Sequence, residues 1–254
     1  LLIAAAGVDA YEAGTIWHLL DYLHDYPVTL IRPGDLNWID LDDYTALILP
    51  DARPGTVSDQ AAERLDRWVR QGGVIAALGR SARWTIDKEL VSLNLKAKPD
   101  GESAGDQQAD SPKEAKPVER RPFDKASDDR ALEQIRGAIF KAEIDRSHPL
   151  LWGYASSELP VFVEGEAFIA PSPNPYQTPM VFAGQPLLSG YASQKNLEAM
   201  AGSAAAVVEG KGQGSIILFG HTPTFRAYWR GTEKILLNAI LFGDRMQAGR
   251  PGGY

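Results

Sequence analysis

The sequence predicts an α/β fold in which a doubly wound, three-layer sheet is mostly parallel and carries some added antiparallel strands. The first observation is a series of short apolar runs in the N-terminal part of the chain: "LLIAAA", "PVTLIR", "TALILP" and "GVIAALG". Such runs are typical of strands that are buried on both faces of a parallel sheet. The second observation is that helical patterns separate these runs, which is the organisation of βαβ units.

Two helices are expected between these strands, over about residues 13–26 and 58–71. Ser58 is the expected N-cap of the second helix, and Gly72 is the residue that ends it. Each helix gathers apolar side chains on one face, as a helix packed on a sheet does. In the first helix these side chains are Ile16, Leu19, Leu20 and Leu23.

The composition changes over about residues 96–119, where polar and charged residues replace nearly all large apolar ones. Such a segment cannot bury enough surface to offset chain entropy, so we expect a disordered insert within a single domain of residues 1–254. A helix near Asp128 and several strands follow, some of them antiparallel, and a buried helix covers about residues 232–242. The glycine-rich "EGKGQGS" precedes a strand rather than a helix, which favours a hairpin over a phosphate loop.

Charge and cysteine content exclude several classes of function. The chain has 254 residues and a net charge of −7, so its overall charge favours neither nucleic acid nor an anionic membrane surface as a partner. No apolar run reaches the roughly 18 residues of a membrane-spanning helix. The sequence contains no cysteine, which excludes disulfides, thiolate zinc sites and a cysteine nucleophile.

The segment "GGVIAALGRSARW" predicts a buried strand, a tight turn and a helix. In many α/β enzymes such a turn carries the nucleophile, assisted by backbone N–H groups at the start of the helix. Here Gly79 occupies the turn and has no reactive side chain. Ser81 lies two residues later and is an equally good candidate for the helix N-cap. We therefore predict a turn without a catalytic residue; a hydrolase that uses Ser81 with His148 or His221 is the weaker alternative.

Asp9 and Glu12 in "GVDAYEAG" have the spacing of a capping box directly after the first strand. Glu12 would also lie near the carboxyl ends of the strands, where open α/β sheets bind their ligands. The spacing alone favours capping, and Glu12 stays a candidate ligand contact.

The other candidate binding residues are His148, His221, Arg226 and Arg230. The histidines of the chain form no H-x-x-E or H-E-x-x-H pattern, so no zinc site is predicted within it. In "HTPTFRAYWRGTEKILLNAILFG" two arginines alternate with aromatic residues, a combination that can hold a carboxylate or a carbohydrate. The competing interpretation is that the aromatic rings pack and the arginines pair locally.

Six segments together resemble the C-terminal region of large bacterial zinc carboxypeptidases of the carboxypeptidase A type. They are "YEAGTIWHLLDY", "DYTALILPD", "GGVIAALGRSARW", "DRSHPLLWGY", "PLLSGY" and "FRAYWRGTEKILLNAILFG". In those proteins a class I glutamine amidotransferase-like domain with a flavodoxin-like fold follows the peptidase domain. The resemblance implies a periplasmic or secreted metallopeptidase as the parent, with zinc and the catalytic residues in an upstream peptidase domain.

The resemblance also implies the loss of the usual chemistry. The amidotransferase superfamily places a cysteine at the position that matches Gly79, and glycine cannot form the thioester intermediate. Glu12 matches the region where some members hold a supporting carboxylate. We therefore expect a non-catalytic accessory domain, a pseudoenzyme without a cofactor of its own, whose partner is the upstream carboxypeptidase domain. The alternative is a module that binds a peptide, an amino acid or a cell-wall fragment in the cleft at the strand ends.

Overall fold

The computed structural model describes residues 2–96, 120–165 and 168–246, and the strands of this part form one mixed sheet. The strands are β1 (Leu2–Ile3), β2 (Leu30–Ile31), β3 (Ala46–Leu49), β4 (Val74–Leu78), β5 (Ile135–Ile144), β6 (Glu158–Gly165), β7 (Met180–Ser189), β8 (Ala204–Lys211) and β9 (Gly214–Phe219). The helices are α1 (Ala10–Trp17), α2 (Asp59–Arg70), α3 (Gly79–Asp87), α4 (Ala126–Glu133), α5 (Gln194–Met200) and α6 (Glu233–Phe242).

The strand order is β2–β1–β3–β4–β9–β8–β7–β5–β6. The strands from β2 to β9 are parallel, and they follow the order of a flavodoxin-type sheet, in which β1 and β3 flank the point where the direction of winding reverses. The strands from β9 to β6 are antiparallel. The predicted α/β class with antiparallel additions is confirmed, and the antiparallel part contributes as many strand pairings as the parallel part in the described residues.

A hydrophobic core lies on each face of the sheet. Alternate residues of β4 show this division, since Val74, Ala76 and Leu78 face one core and Ile75 and Ala77 the other. Helices α1 and α6 cover the first face, while α2 and α3 cover the second. Because the strands of a parallel sheet are buried on both sides, their sequences are continuous apolar runs, as predicted.

The first helix begins three residues earlier than predicted. Asp9 is its N-cap, and the Asp9 Oδ1 accepts a hydrogen bond from the backbone N–H of Glu12 at 2.8 Å. The α-helix ends at Trp17 and continues as a π-helical turn over His18–Leu23. Its predicted apolar face is correct, since Ile16, Leu19 and Leu20 are buried.

The second helix agrees with its prediction at both ends. The Ser58 hydroxyl accepts a hydrogen bond from the backbone N–H of Ala61, and Gly72 has a φ of +127°. The glycine-rich run after β8 is a hairpin that pairs Lys211 with Gly214, as predicted. Apart from Lys96, the predicted insert of residues 96–119 lies outside the described residues.

At each edge of the sheet, the row of backbone N–H groups that could pair with a further strand is short or interrupted. Strand β2 has only two residues, and β6 pairs with β5 alone. Pro160 stands opposite Lys141 in that pairing and has no N–H to donate. In the described part of the chain, no helix is long and apolar enough to cross a membrane.

Candidate functional site

The turn from β4 to α3 has the geometry of a nucleophile elbow, with a glycine where the nucleophile would be. Strand β4 ends at Leu78, and α3 begins at Gly79, whose φ is +53°. A Cβ atom built on Gly79 would lie 2.6 Å from the Asp51 Oδ1 and 3.0 Å from the Asp51 Cβ. The predicted elbow is therefore present, and the carboxylate of Asp51 occupies the space of a side chain.

Asp51 follows β3 and binds the start of α3 through both of its carboxylate oxygens. The backbone N–H of Arg80 donates to Asp51 Oδ1 at 2.6 Å, and the Arg80 Nη2 donates to Oδ2 at 2.6 Å. The side-chain hydrogen bonding to Asp51 raises the pKa of Arg80. A carboxylate at a helix N-terminus is stabilised by the helix dipole. The backbone amide that could assist a reaction at this elbow is therefore already bonded within the protein.

The crevice between the carboxyl ends of β1 and β3 is bridged by backbone hydrogen bonds. The N–H of Asp9 donates to the carbonyl of Asp51 at 2.7 Å, and the N–H of Arg53 donates to the carbonyl of Gly7 at 2.8 Å. Gly7 has a φ of +94°, and a Cβ there would lie 2.5 Å from the Thr56 Oγ1. This crevice is the usual ligand site of the fold, and here backbone hydrogen bonds join its two sides.

Glu12 belongs to the same cluster of contacts. Its carboxylate accepts a hydrogen bond from the backbone N–H of Asp51 at 2.5 Å, instead of returning the bond to Asp9 as a capping box requires. Burial raises the pKa of Glu12 to about 8, and the neighbouring carboxylates of Asp51, Asp9 and Glu164 add to the effect. Because a carboxyl group with a pKa of about 8 is mostly protonated at neutral pH, Glu12 is mostly uncharged beside these acidic residues.

Ser81 is not the N-cap of α3, and that alternative was wrong. The helix begins at Gly79, so Ser81 lies in its first turn, with Leu78 as the N-cap. The Ser81 side chain is buried, and its hydroxyl donates to the carbonyl of Pro50 at 2.6 Å. A nucleophilic serine needs its hydroxyl exposed and bonded to a base. Ser81 meets neither condition.

The two candidate histidines are separate from Ser81 and have other partners. The His221 Nδ1 lies 2.9 Å from the carbonyl of Ala205, and burial lowers the pKa of His221 to about 4. The His148 Nδ1 accepts a hydrogen bond from the N–H of Leu150, and burial lowers its pKa as well. Both rings are therefore neutral at pH 7, and neither forms a nucleophile–base pair.

The two candidate arginines occupy different places. The Arg226 Cζ lies 6.0 Å from the ring centroid of Tyr11, in the first turn of α1 and next to the strand ends. Arg230 lies beside Glu233 at the start of α6; burial raises the pKa of that carboxyl, and the positive charge of Arg230 opposes part of the rise. Of the predicted binding residues, the structure brings Glu12 and Arg226 to the region around the start of α1. His148 instead belongs to a turn that packs on α6, since the Asn238 Nδ2 donates to the carbonyl of Leu150.

Asp51 is the main residue of the site that the sequence analysis did not select. The sequence indicates Asp51 only through its position, since it is the first charged residue after a buried parallel strand. Its partner Arg80 is 29 residues away in the chain, so no local spacing indicated the ion pair. In the described ranges, no group of three or more His, Asp or Glu side chains could hold a metal ion.

Comparison with solved structures identifies the fold. PurLQS from Thermotoga maritima superposes with a TM-score of 0.58 at 12% identity, covering 95% of this chain and 96% of that chain. A ThuA-like protein from Parabacteroides merdae gives 0.54 at 11% identity, covering 99% and 91%. The β-galactosidase from Bacillus circulans sp. alkalophilus gives 0.50 at 13% identity, covering 97% of this chain and 31% of that chain. No model of a known protein family and no curated protein matches the sequence.

These likenesses show the fold: the chain has a glutamine amidotransferase-like α/β fold of the flavodoxin type. The fold implied by the sequence resemblance is thus confirmed. The zinc carboxypeptidase part of that resemblance concerns a parent protein and stays a prediction.

Proposed function

We propose that this chain is a non-catalytic amidotransferase-like domain that serves as an accessory domain of a zinc carboxypeptidase. The non-catalytic assignment rests on the position of Asp51. The Asp51 Oδ1 lies 2.6 Å from the position that a Cβ atom on Gly79 would take. The elbow has neither a nucleophile nor the room for one. The ion pair with Arg80 also keeps the first amide of the helix occupied.

The accessory role has two supports. One is the resemblance of six sequence segments to the C-terminal region of bacterial zinc carboxypeptidases. The other is that the Bacillus circulans β-galactosidase matches over only 31% of its length, so this fold occurs as one part of a longer chain. The same resemblance supports a periplasmic or secreted location, with zinc held in the upstream peptidase domain.

Enzyme assays on the purified, tag-free chain test the first half. We expect no hydrolysis of glutamine, no release of C-terminal residues from peptides and no stoichiometric zinc, with the native fold confirmed by circular dichroism. A fluorophosphonate probe should leave the protein unlabelled, because the Ser81 hydroxyl is buried and bonded to Pro50. Labelling that is lost in Ser81→Ala, or zinc at one equivalent, would overturn the proposal.

The gene sequence before the codon for Leu1 tests the second half. A metallopeptidase domain with an H-x-x-E motif and a later histidine, encoded in the same reading frame, is the expected result. Removing residues 1–254 from that longer protein should then lower its melting temperature or its turnover of peptide substrates. An unrelated upstream domain would contradict the carboxypeptidase assignment and leave the non-catalytic assignment intact.

A further inference from the structure

The segment after β9, residues 221–229, has a strained backbone next to the start of α1. Arg226 and Ala227 have φ values of +50° and +51°, and neither is a glycine. A left-handed conformation is unfavourable for a residue with a side chain. Two such residues in succession persist only where the surrounding structure fixes them, and such strain is found preferentially at functional sites.

Ring packing onto β6 fixes this segment. The Phe225 ring stacks on the ring of Phe162 with 3.8 Å between centroids, and the Trp229 ring lies 6.4 Å from the same ring. The backbone N–H groups of Tyr228 and Trp229 both donate to the carbonyl of Phe225 at 3.0 Å. The segment is therefore anchored on β6, an element far from it in sequence, and its own hydrogen bonds hold the turn that carries Arg226.

The guanidinium of Arg226 is positioned by aromatic rings and not by an acid. Its Cζ lies 5.1 Å from the ring centroid of Phe225 and 6.0 Å from that of Tyr11, and the side chain is exposed. Among the described residues it forms no ion pair, whereas Arg80 is bound through two nitrogens by Asp51. Cation–π contacts orient a guanidinium while leaving its N–H donors free for an anion.

We propose that Arg226 and Tyr11 form a binding site for a carboxylate that is attached to an apolar or aromatic group. A free guanidinium binds a carboxylate through two parallel hydrogen bonds. The exposed ring of Tyr11, which is 78% accessible, offers flat apolar area beside it. The C-terminal residue of a peptide is the simplest ligand with this combination.

The acidic surroundings select among anions. Asp9 and Glu164 lie close enough to Glu12 to raise its pKa, so negative charge is already concentrated beside Tyr11. A singly charged carboxylate meets less repulsion there than a doubly charged phosphate. The site goes beyond the accessory role proposed above, and it depends neither on an inert elbow nor on a carboxypeptidase parent.

Titration with N-acetyl-L-phenylalanine, followed by calorimetry or NMR, tests the site on the intact chain. We expect saturable binding that weakens by about tenfold or more in Arg226→Gln and with the neutral N-acetyl-L-phenylalanine amide, since a charge-assisted pair is lost in both cases. Tyr11→Ala should also weaken binding. Arg67→Gln, which changes an exposed arginine of α2, is the matched control and should bind as the wild type does.

Three results would overturn the site: no saturable binding to the wild type, equal binding of the acid and its amide, or unchanged binding in Arg226→Gln. Inorganic phosphate that binds more tightly than the carboxylate would also contradict it. The comparison of acid with amide needs only the wild-type protein, so the test stands even where a variant fails to fold. Failure here would leave the assays of the elbow unaffected.

Discussion

At the scale of single residues, Asp51 is the obstacle to a nucleophile at the elbow. The left-handed backbone of Gly79 is itself the conformation of a nucleophile elbow, whereas Asp51 fills the space into which a side chain at residue 79 would point. The Asp51–Arg80 ion pair is the contact that occupies this space. A thiol introduced at residue 79 by a single substitution would have to displace this pair.

Replacing Gly79 by alanine should destabilise the protein by more than its backbone strain alone. We expect a loss of about 2–4 kcal/mol in the free energy of unfolding, because the strain of about 1–2 kcal/mol adds to a collision with Asp51. Chemical denaturation measures this loss.

Gly202→Ala is the matched control for that collision. Gly202 has a similar φ of +69°, but a Cβ there would have no neighbour within 4 Å. Equal losses in the two variants would show that Asp51 does not occupy the elbow.

Glu12 should make the stability of the protein depend on pH. Its pKa is about 8 in the folded state against 4.5 in the unfolded chain, so the folded state binds more protons between these values. The free energy of unfolding should therefore fall as pH rises from about 4.5 to 8, by an amount on the order of a few kcal/mol. Glu12→Gln keeps an acceptor for the Asp51 N–H and should flatten this slope, as denaturation at several pH values would show.

Glu63→Gln is the comparison for this effect, since Glu63 is an exposed glutamate on α2. That variant should keep the slope of the wild type. A Glu12→Gln protein with an unchanged slope would mean that Glu12 is ionised in the folded state at neutral pH.

The residue scale is where the sequence predicted least. Glu12, Gly79 and Arg226 could be selected from their positions beside strands or among aromatic residues. The partners that define their environment could not, because Asp51 meets Arg80 and Glu12 only through the fold. His148 was a candidate binding residue, and its position in a turn that packs on α6 has no sequence signal.

At the scale of helices and strands, the predictions depended on how much apolar surface each element buries. Strands β3 and β4 were found from their continuous apolar runs, since both faces of each are covered. Helix α5 is only seven residues long and was missed. The predicted start of α1 was Ala13, because the apolar face begins there. The helix itself begins at Ala10, directly after its N-cap Asp9.

Asn238 joins α6 to the turn before β6, and its removal should test that connection. Its Nδ2 donates to the carbonyls of Leu150 at 2.9 Å and Trp152 at 3.0 Å. Asn238→Ala leaves both acceptors without this donor and should cost about 1–3 kcal/mol of unfolding free energy. Asn238→Asp should cost at least as much, because it turns a donor into an acceptor.

Leu241→Ala on the same helix is the control, since Leu241 is 52% exposed. We expect a change within about 0.5 kcal/mol for this surface position. Asn238→Ala with an effect as small as that of Leu241→Ala would mean that the turn is held by packing alone.

At the scale of the whole molecule, the parallel and antiparallel parts should unfold together. Strand β9 pairs with β4 on one side and with β8 on the other, over five and six register positions. Backbone amides of β4 and β8 should therefore exchange hydrogen with the same dependence on denaturant. Hydrogen exchange followed by mass spectrometry measures this dependence. Exchange in β5, β6 or β7 at a lower denaturant concentration than in β4 would contradict joint unfolding.

The two edge strands of the sheet, β2 and β6, decide how readily the sheet can pair with strands of other molecules. A sheet of nine strands would normally offer two long rows of unpaired amides, which recruit strands from neighbouring molecules. Here one margin is a two-residue strand, and the other includes Pro160. The proline therefore interrupts the row of N–H groups along β6 to which a strand of a neighbouring molecule could pair.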